Sequence, residues 1–136
     1  MPDRSHVGRT YRADGQVIDG ERAARFAEAI AGDDGLIEPG VVPPTYAAVY
    51  CLSPTLAQLF GDAELGIGLA GLVHAEQEFS FHQPVRAGDV IDASVRIASV
   101  AERRGRVFLG VELEATRAGR PVCSGRALFV AAGGAP

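Results

Sequence analysis

One stretch of the sequence, residues 72–91, restricts the fold more than any other. Apolar and polar side chains alternate along its first half, which is the pattern of a strand with one buried face. The apolar face is predicted to carry Val73, Ala75, Gln77, Phe79 and Phe81, and the polar face His74, Glu76, Glu78, Ser80 and His82. The strand is predicted to end at Pro84, because proline cannot donate a hydrogen bond to a neighbouring strand. Gly88 and Asp89 then favour a turn.

Two side chains of this strand are candidates for a functional site. Gln77 falls on the apolar face, where an amide is costly unless it is hydrogen-bonded, so we expect it at a buried interface or in a ligand channel. His74 falls on the polar face, where a histidine at the end of a sheet is favoured over a catalytic one. A bulge would reverse the direction of His74, since one extra residue exchanges the two faces.

The first half of the chain is predicted to be helical. Asp19 can cap a helix from about Gly20 to Ala31, whose apolar residues recur at helical spacing. After Pro44, residues 45–52 are apolar on all sides, which predicts a buried central helix. Ser53 is expected to cap a further short helix that has Pro54 in its first turn.

Alternating segments dominate the second half. Besides residues 73–82, they cover about residues 91–97, 107–116 and 123–129, and a short strand is indicated at residues 16–18. Helices followed by at least four strands in hairpin succession predict an α+β fold, with helices on one face of an antiparallel sheet. We expect a single domain over residues 1–136, with an ordered core from about residue 8 to about residue 130.

Composition and charge argue against several classes of function. The formal net charge is −4 and no basic stripe is present, so a nucleic-acid partner is not expected. The longest apolar run, residues 65–73, is far shorter than the roughly 20 residues of a membrane helix. We therefore expect a cytoplasmic protein that does not enter the membrane. Cys51 and Cys123 match no metal-ligand spacing and are predicted to be reduced core thiols, so neither a metal nor another cofactor is expected.

The motif HAEQEFSFHQPVRAGDVI, residues 74–91, resembles the strand–turn–strand region of MaoC-like hotdog proteins. Within that family it resembles the N-terminal MaoC-type dehydratase domain. This subgroup includes non-catalytic subunits of actinobacterial (3R)-hydroxyacyl-ACP dehydratases. The resemblance implies a single hotdog domain, in which an antiparallel sheet wraps around a central apolar helix. It also implies that protomers pair through their sheets and that an acyl tunnel lies between them.

The loop after the first helix departs from the pattern of active relatives. Active MaoC-like hydratases carry Gly-Asp, then Asn-Pro, then His in this loop. Here Gly32 and Asp33 match, but Gly35 stands in place of Asn, proline is absent, and residue 36 or 37 is not His. A positioned His and a carboxylate would move the protons during dehydration of a 3-hydroxyacyl thioester. Asp33 and Asp34 are therefore either half of a catalytic pair or a solvated loop pair.

Two further groups are candidate binding residues. The resemblance implies that the thioester binds at the start of the central helix, at Thr45 and Tyr46. Because Pro44 has no amide hydrogen, the backbone donor to the thioester oxygen must come from Thr45 or later. A cluster of arginines at a predicted hairpin tip is either solvated or docks an acidic carrier protein or a nucleotide phosphate. It consists of Arg103, Arg104 and Arg106.

Three functions are compatible with these observations. The first is a subunit of a (3R)-hydroxyacyl-thioester dehydratase or enoyl hydratase of fatty-acid or polyketide metabolism, inactive alone and paired with a catalytic MaoC-like partner. The second is a self-sufficient homodimeric hydratase or acyl thioesterase that uses Asp33 or Asp34 with His74. The third is a non-enzymatic module that binds acyl thioesters. Each would take an acyl thioester on acyl carrier protein or coenzyme A.

Overall fold

The fold is a five-stranded antiparallel sheet packed on a helical layer. The computed structural model describes residues 1–31 and 40–132. The strands are β1 (Thr10–Val17), β2 (Val73–Phe81), β3 (Val90–Arg103), β4 (Arg106–Arg117) and β5 (Arg120–Ala132). They lie in the order β1-β3-β4-β5-β2, and every neighbouring pair is antiparallel. The predicted α+β class is confirmed, although β1 is much longer than the three residues that the sequence indicated.

The first helix, α1, spans Gly20–Ala31 as predicted. Asp19 caps it, because its carboxylate accepts hydrogen bonds from the backbone amides of Glu21 (2.9 Å) and Arg22 (3.3 Å). Phe26 projects from α1 and packs edge-on against the ring of Tyr46, with 5.1 Å between the ring centroids. This contact joins the first helix to the central one.

The central helix runs without a break over residues 44–60. It begins with a 3₁₀ turn (Pro44–Tyr46), continues through a π turn (Ala48–Leu52), and ends as the α-helix α2 (Ser53–Phe60). Ala47, Cys51 and Leu59 are fully buried against the sheet, so the predicted buried helix is confirmed. The prediction that Ser53 caps a separate helix is wrong, because Ser53 has helical dihedral angles (φ −57°, ψ −50°) and makes no capping hydrogen bond.

Pro54 explains why a π turn lies in this helix. Proline has no amide hydrogen, so Pro54 cannot donate to the carbonyl of Tyr50, four residues earlier. The helix widens instead, and the amide of Ser53 donates to the carbonyl of Ala48. The side-chain amide of Gln16 in β1 donates to the vacant Tyr50 carbonyl at 2.7 Å. The proline is thus accommodated by a hydrogen bond from the sheet.

Two tight hairpins connect β3, β4 and β5. In each turn both central residues have positive φ: Arg104 (52°) with Gly105 (74°), and Ala118 (51°) with Gly119 (77°). This is the type I′ geometry, whose twist matches that of the flanking strands. The inward side chains of these strands, such as Val95, Leu109 and Phe129, form the core beneath the helices. Within residues 1–31 and 40–132, no helix is long and apolar enough to cross a membrane.

The Gln16 hydrogen bond gives a test of this account. Gln16→Ala leaves the part-buried Tyr50 carbonyl without its donor, so we expect the free energy of unfolding to fall by about 2 kcal/mol. Urea denaturation measures this change. Gln58→Ala is the matched control, because Gln58 also donates to a backbone carbonyl, that of Arg12, but at an exposed position. Equal losses for the two variants would contradict the role assigned to Gln16.

Candidate functional site

The strand β2 forms one edge of the sheet. Among the described residues, only β5 pairs with it, from Val73 opposite Val130 to Phe81 opposite Cys123. All of β2 except Phe79 is exposed, including the large apolar side chain of Phe81 (46%). A long exposed edge with apolar residues is unusual in an isolated chain, because it offers a template for another strand. The candidate site lies along this edge.

A bulge in β2 reverses the expected direction of His74. The register advances from His74 opposite Phe129 to Glu76 opposite Leu128, so Ala75 is an extra residue. The imidazole of His74 lies on the helix side, with its centroid 4.4 Å from that of the buried Phe129 ring. The prediction that His74 faces the polar side is wrong, because the bulge exchanges the faces on its N-terminal side.

Gln77 lies on the same side as His74 and contacts it. It is opposite Ala127, which is buried, so the prediction that Gln77 shares the apolar face is confirmed. Its amide nitrogen donates to the carbonyl of Glu78 at 3.2 Å, which leaves its oxygen as the acceptor 3.0 Å from Nε2 of His74. We therefore assign the proton of neutral His74 to Nε2, and its Nδ1 is the basic atom.

An apolar groove of about 220 Å³ lies at the other end of β2. It is lined by residues 41–44, Tyr50 and residues 81–85, so the start of the central helix forms one wall. Tyr50 is almost fully buried, and this burial raises the pKa of its hydroxyl above the ordinary value, which keeps it protonated as a donor. The groove is suited to an apolar chain with a small polar head group.

The predicted binding residues Thr45 and Tyr46 differ in accessibility. Thr45 is exposed, whereas Tyr46 is buried between Phe26 and Tyr50. The amide of Tyr46 donates to the carbonyl of Pro43 at 2.9 Å. The amide of Thr45 has no backbone acceptor within the described part of the chain, which makes it a candidate donor to a ligand oxygen.

The candidate residues form two separate groups. His74 and Gln77 lie near Phe129, which packs edge-on against Phe60 at the end of the central helix. Thr45 lies at the start of that helix, near the Phe81 end of β2. Seven residues of strand separate the two ends, a distance of roughly 23 Å. Within one chain, His74 cannot act on a group bound at Thr45.

The candidates Asp33 and Asp34 lie outside the described residues. The described chain resumes at Gly40, whose carbonyl accepts from the amide of Ala87 at 3.2 Å. Val41 forms an isolated bridge with Arg86, and the amide of Val42 donates to the carbonyl of Val85. The chain therefore reaches the central helix along the turn that follows β2, at the groove end.

The arginine cluster lies at the opposite end of the sheet from the groove. Arg103 ends β3, Arg104 is in the turn, and Arg106 begins β4 opposite Ala132 of β5. All three are exposed, and no carboxylate of the described residues forms an ion pair with them. In a single chain, this tip is close to the His74 end of β2.

Sequence reasoning missed the contact that holds the wall of the groove. The guanidinium of Arg117 donates to the carboxylate of Asp89 at 2.7 Å, to the carbonyl of Pro84 at 2.9 Å and to the side-chain oxygen of Gln83 at 3.0 Å. It fixes the turn after β2 against the hairpin of β4 and β5. Arg117 and Asp89 are distant in sequence, and no local pattern joins them.

The two cysteines are buried and unbonded, as predicted. Burial raises the pKa of Cys51 to about 12 and that of Cys123 to about 11, so both thiols stay protonated and are poor nucleophiles. The described residues contain no cluster of side chains that could hold a metal ion.

Comparison with known protein families shows the family to which this chain belongs. The profile of the family described as "FAS1-like, dehydratase domain region" matches residues 38–124, which is more than half of the chain. The chain belongs to the MaoC-like hotdog family. This hotdog protein is also similar to the UPF0336 protein of Saccharopolyspora erythraea, with 33% identity over 98% of this chain and 94% of that one. The predicted family and hotdog fold are confirmed.

Solved structures support the same conclusion. A chain of the C-terminally truncated HadBC (3R-hydroxyacyl-ACP dehydratase) complex of Mycobacterium tuberculosis is 25% identical, with a TM-score of 0.77. The match covers 92% of this hotdog protein and 96% of that chain. The (R)-hydratase of A. caviae, at 23% identity and a TM-score of 0.59 over 94% and 98% of the two chains, shares the fold. The protein thus belongs to a family of hydratases and dehydratases.

The contact between His74 and Gln77 can be tested in solution. Because the Gln77 oxygen accepts from Nε2, we expect neutral His74 to carry its proton on Nε2, and ¹⁵N NMR of the imidazole reports this tautomer directly. Gln77→Leu should produce a mixture of tautomers. Gln83→Leu, which removes a glutamine near the opposite end of β2, is the control. A proton on Nδ1 in the unmodified protein would contradict the assignment.

Proposed function

We propose that this hotdog protein is a subunit of a (3R)-hydroxyacyl-thioester dehydratase or enoyl hydratase, and that a MaoC-like partner supplies the catalytic Asp and His. The observation that carries the proposal is the sequence after α1, where Gly32-Asp33 is not followed by a histidine. Dehydration of a 3-hydroxyacyl thioester needs a base at the carbon beside the carbonyl and an acid for the departing hydroxide. This loop offers carboxylates alone.

The three histidines of the chain are engaged elsewhere. Nδ1 of His6 accepts from the backbone amide of Asp3 in an N-terminal turn. His82 borders the groove, but its Nε2 lies 2.8 Å from the hydroxyl of Ser124, on the face of the sheet away from the helices. His74 is at the far end of β2. These positions support a chain that is catalytically incomplete by itself.

The chain would contribute binding groups to a shared site. The groove at Tyr50 would hold part of the acyl chain, and the Thr45 amide would bind the thioester oxygen as negative charge develops on it. The arginine cluster would attract an acyl carrier protein or the phosphates of coenzyme A. In one chain, the arginine cluster and the start of the central helix lie at opposite ends of the sheet. If a second protomer pairs antiparallel along β2, the arginine cluster of one protomer lies near the helix start of the other, and both can contact one substrate. The similar HadBC structure is a complex.

A second candidate is a homodimer that is active alone. One observation favours it: antiparallel pairing along β2 would carry His74 of one protomer towards the helix start of the other, with Nδ1 free to act as a base. Asp33 or Asp34 would then supply the carboxylate. A third candidate, binding of an acyl thioester without catalysis, uses the same groove. In every case we place the protein in the cytoplasm, where its free thiols would remain reduced.

Hydration of a trans-2-enoyl-CoA separates these candidates. We expect the protein alone to be inactive, and activity to appear when it is co-purified with a MaoC-like chain that carries Asp-x-Asn-Pro-x-His. In that complex His74→Ala should change kcat by less than about twofold, because the partner supplies the base. Turnover by the protein alone that falls by about 100-fold or more in His74→Ala would establish the homodimer instead. Tight binding of acyl-CoA without turnover in either sample would establish the binding module.

The arginine cluster can be tested in the active complex. Arg103→Glu/Arg104→Glu reverses two exposed charges at the tip, so we expect KM for a substrate linked to acyl carrier protein to rise by about tenfold with little change in kcat. Arg120→Glu, at the hairpin on the other end of β4, is the control. An unchanged KM in the double variant would remove the docking role.

A further inference from the structure

Charged side chains alternate in a row across the sheet, on the face away from the helices. Arg96 of β3 is opposite Glu112 of β4, which is opposite Arg126 of β5, which is opposite Glu78 of β2. Arg96 and Glu112 form an ion pair at 2.5 Å, and Arg126 lies 3.8 Å from Glu78. Each strand thus presents the opposite sign to its neighbour, and the row ends with a carboxylate at the free edge.

A second carboxylate lies beside the first on this edge. Glu76 is two residues before Glu78 on the same face, and it is opposite Leu128 rather than a cation. Within the described ranges, no basic side chain forms an ion pair with Glu76. The ion pair that Glu78 forms among the described residues is the long one with Arg126, and both of these side chains are more than 60% exposed. The edge of the sheet is therefore acidic.

We propose that Glu76 and Glu78 select the strand that pairs with β2. They favour a partner chain whose edge strand carries Lys or Arg on the same face, and they disfavour a second copy of this chain. The inference rests on the proposed function, since it specifies the chemistry of the partner subunit. It adds a reason why that partner is a different polypeptide.

The register of self-pairing supports this selection. If two copies pair antiparallel over the whole of β2, the symmetry axis passes at Gln77, the central residue of the strand. Each Glu76 then lies directly opposite Glu78 of the other copy, with the side chains roughly 5 Å apart. Four carboxylates meet along the seam, and the adjacent cation from each copy is Arg126. Like charges that are directly opposite on paired strands are destabilising.

A shift of register reduces this repulsion but does not remove it. A shift that keeps the two faces of the strand must move the pairing by an even number of residues. One such step still leaves one like-charge pair directly opposite, either Glu78 with Glu78 or Glu76 with Glu76 of the other copy, and it also shortens the paired segment. Larger steps leave about half of β2 unpaired, and Pro84 prevents the strand from extending to compensate.

The other face of β2 does not discriminate between partners. Its residues after the bulge are Gln77, Phe79 and Phe81, which are uncharged and would pack equally well against a copy of this chain or a related one. A partner with basic residues opposite Glu76 and Glu78 would instead extend the alternation by one more strand. The charges on the outer face therefore determine whether β2 pairs with a second copy of this chain or with a basic partner chain.

Sedimentation equilibrium of the purified chain in low salt tests the selection. Glu76→Lys places a lysine opposite Glu78 twice in a symmetric dimer, so we expect the dissociation constant for self-association to fall by about tenfold. The difference between variant and wild type should shrink in high salt, because exposed charges are screened. Glu114→Lys is the control, since it makes the same charge change on the same face but in β4, away from the edge. Circular dichroism verifies that each variant is folded.

A second experiment mixes the wild-type chain with a double variant and measures the affinity of each pairing. Glu76→Lys/Glu78→Lys should self-associate weakly, because its lysines repel, yet it should pair with the wild-type chain at least about tenfold more tightly than either chain pairs with itself. Equal affinity of all combinations, or equal effects of Glu76→Lys and Glu114→Lys, would overturn the proposal. These dissociation constants are independent of turnover. A protein that is active alone would refute the proposed function, whereas the role of the edge charges is decided by the affinities.

Discussion

The hydrogen-bonding edge of β2 is the constraint on which the site depends. Among residues 1–31 and 40–132, this strand of nine residues has a neighbour on one side, and its other side offers backbone groups that can pair with a further strand. At the other edge of the sheet, the side chain of Gln58 bonds to the backbone of β1 at Arg12. His74, Gln77 and the groove at Phe81 all lie along the β2 edge. The described residues therefore form one hydrophobic core, and the candidate site residues lie at its margin along β2.

Local periodicity was sufficient to predict much of the fold. The segments of β2 to β5 alternate with period two, and α1 has helical spacing behind an Asp19 cap, so each could be assigned from neighbouring residues alone. The strand β1 was mostly missed, because polar residues and a glycine obscure its alternation. The continuity of the central helix across Pro54 was missed for a different reason: it depends on Gln16, which comes from another strand.

The site was less predictable, because its geometry depends on contacts between distant parts of the chain. The sequence identified Gln77 as a polar residue on an apolar face, but it did not reveal which side His74 takes. A bulge cannot be recognised from amino-acid composition, and one extra residue reverses the direction of every side chain that precedes it in the strand. The Arg117–Asp89 contact joins a hairpin to a turn that are far apart in sequence. Asp33 and Asp34, identified by family resemblance, lie outside the described residues.

The extra residue Ala75 determines that His74 lies on the inner surface of the sheet, the side that faces the helices. The carboxylates of Glu76 and Glu78 follow the bulge, whereas the direction of the His74 imidazole is set by the extra residue before them. A relative that lacks one amino acid at this position would turn that imidazole outwards and keep both carboxylates on the outer face. A single insertion or deletion can therefore add an imidazole to the inner surface or remove it, while Glu76 and Glu78 stay in place.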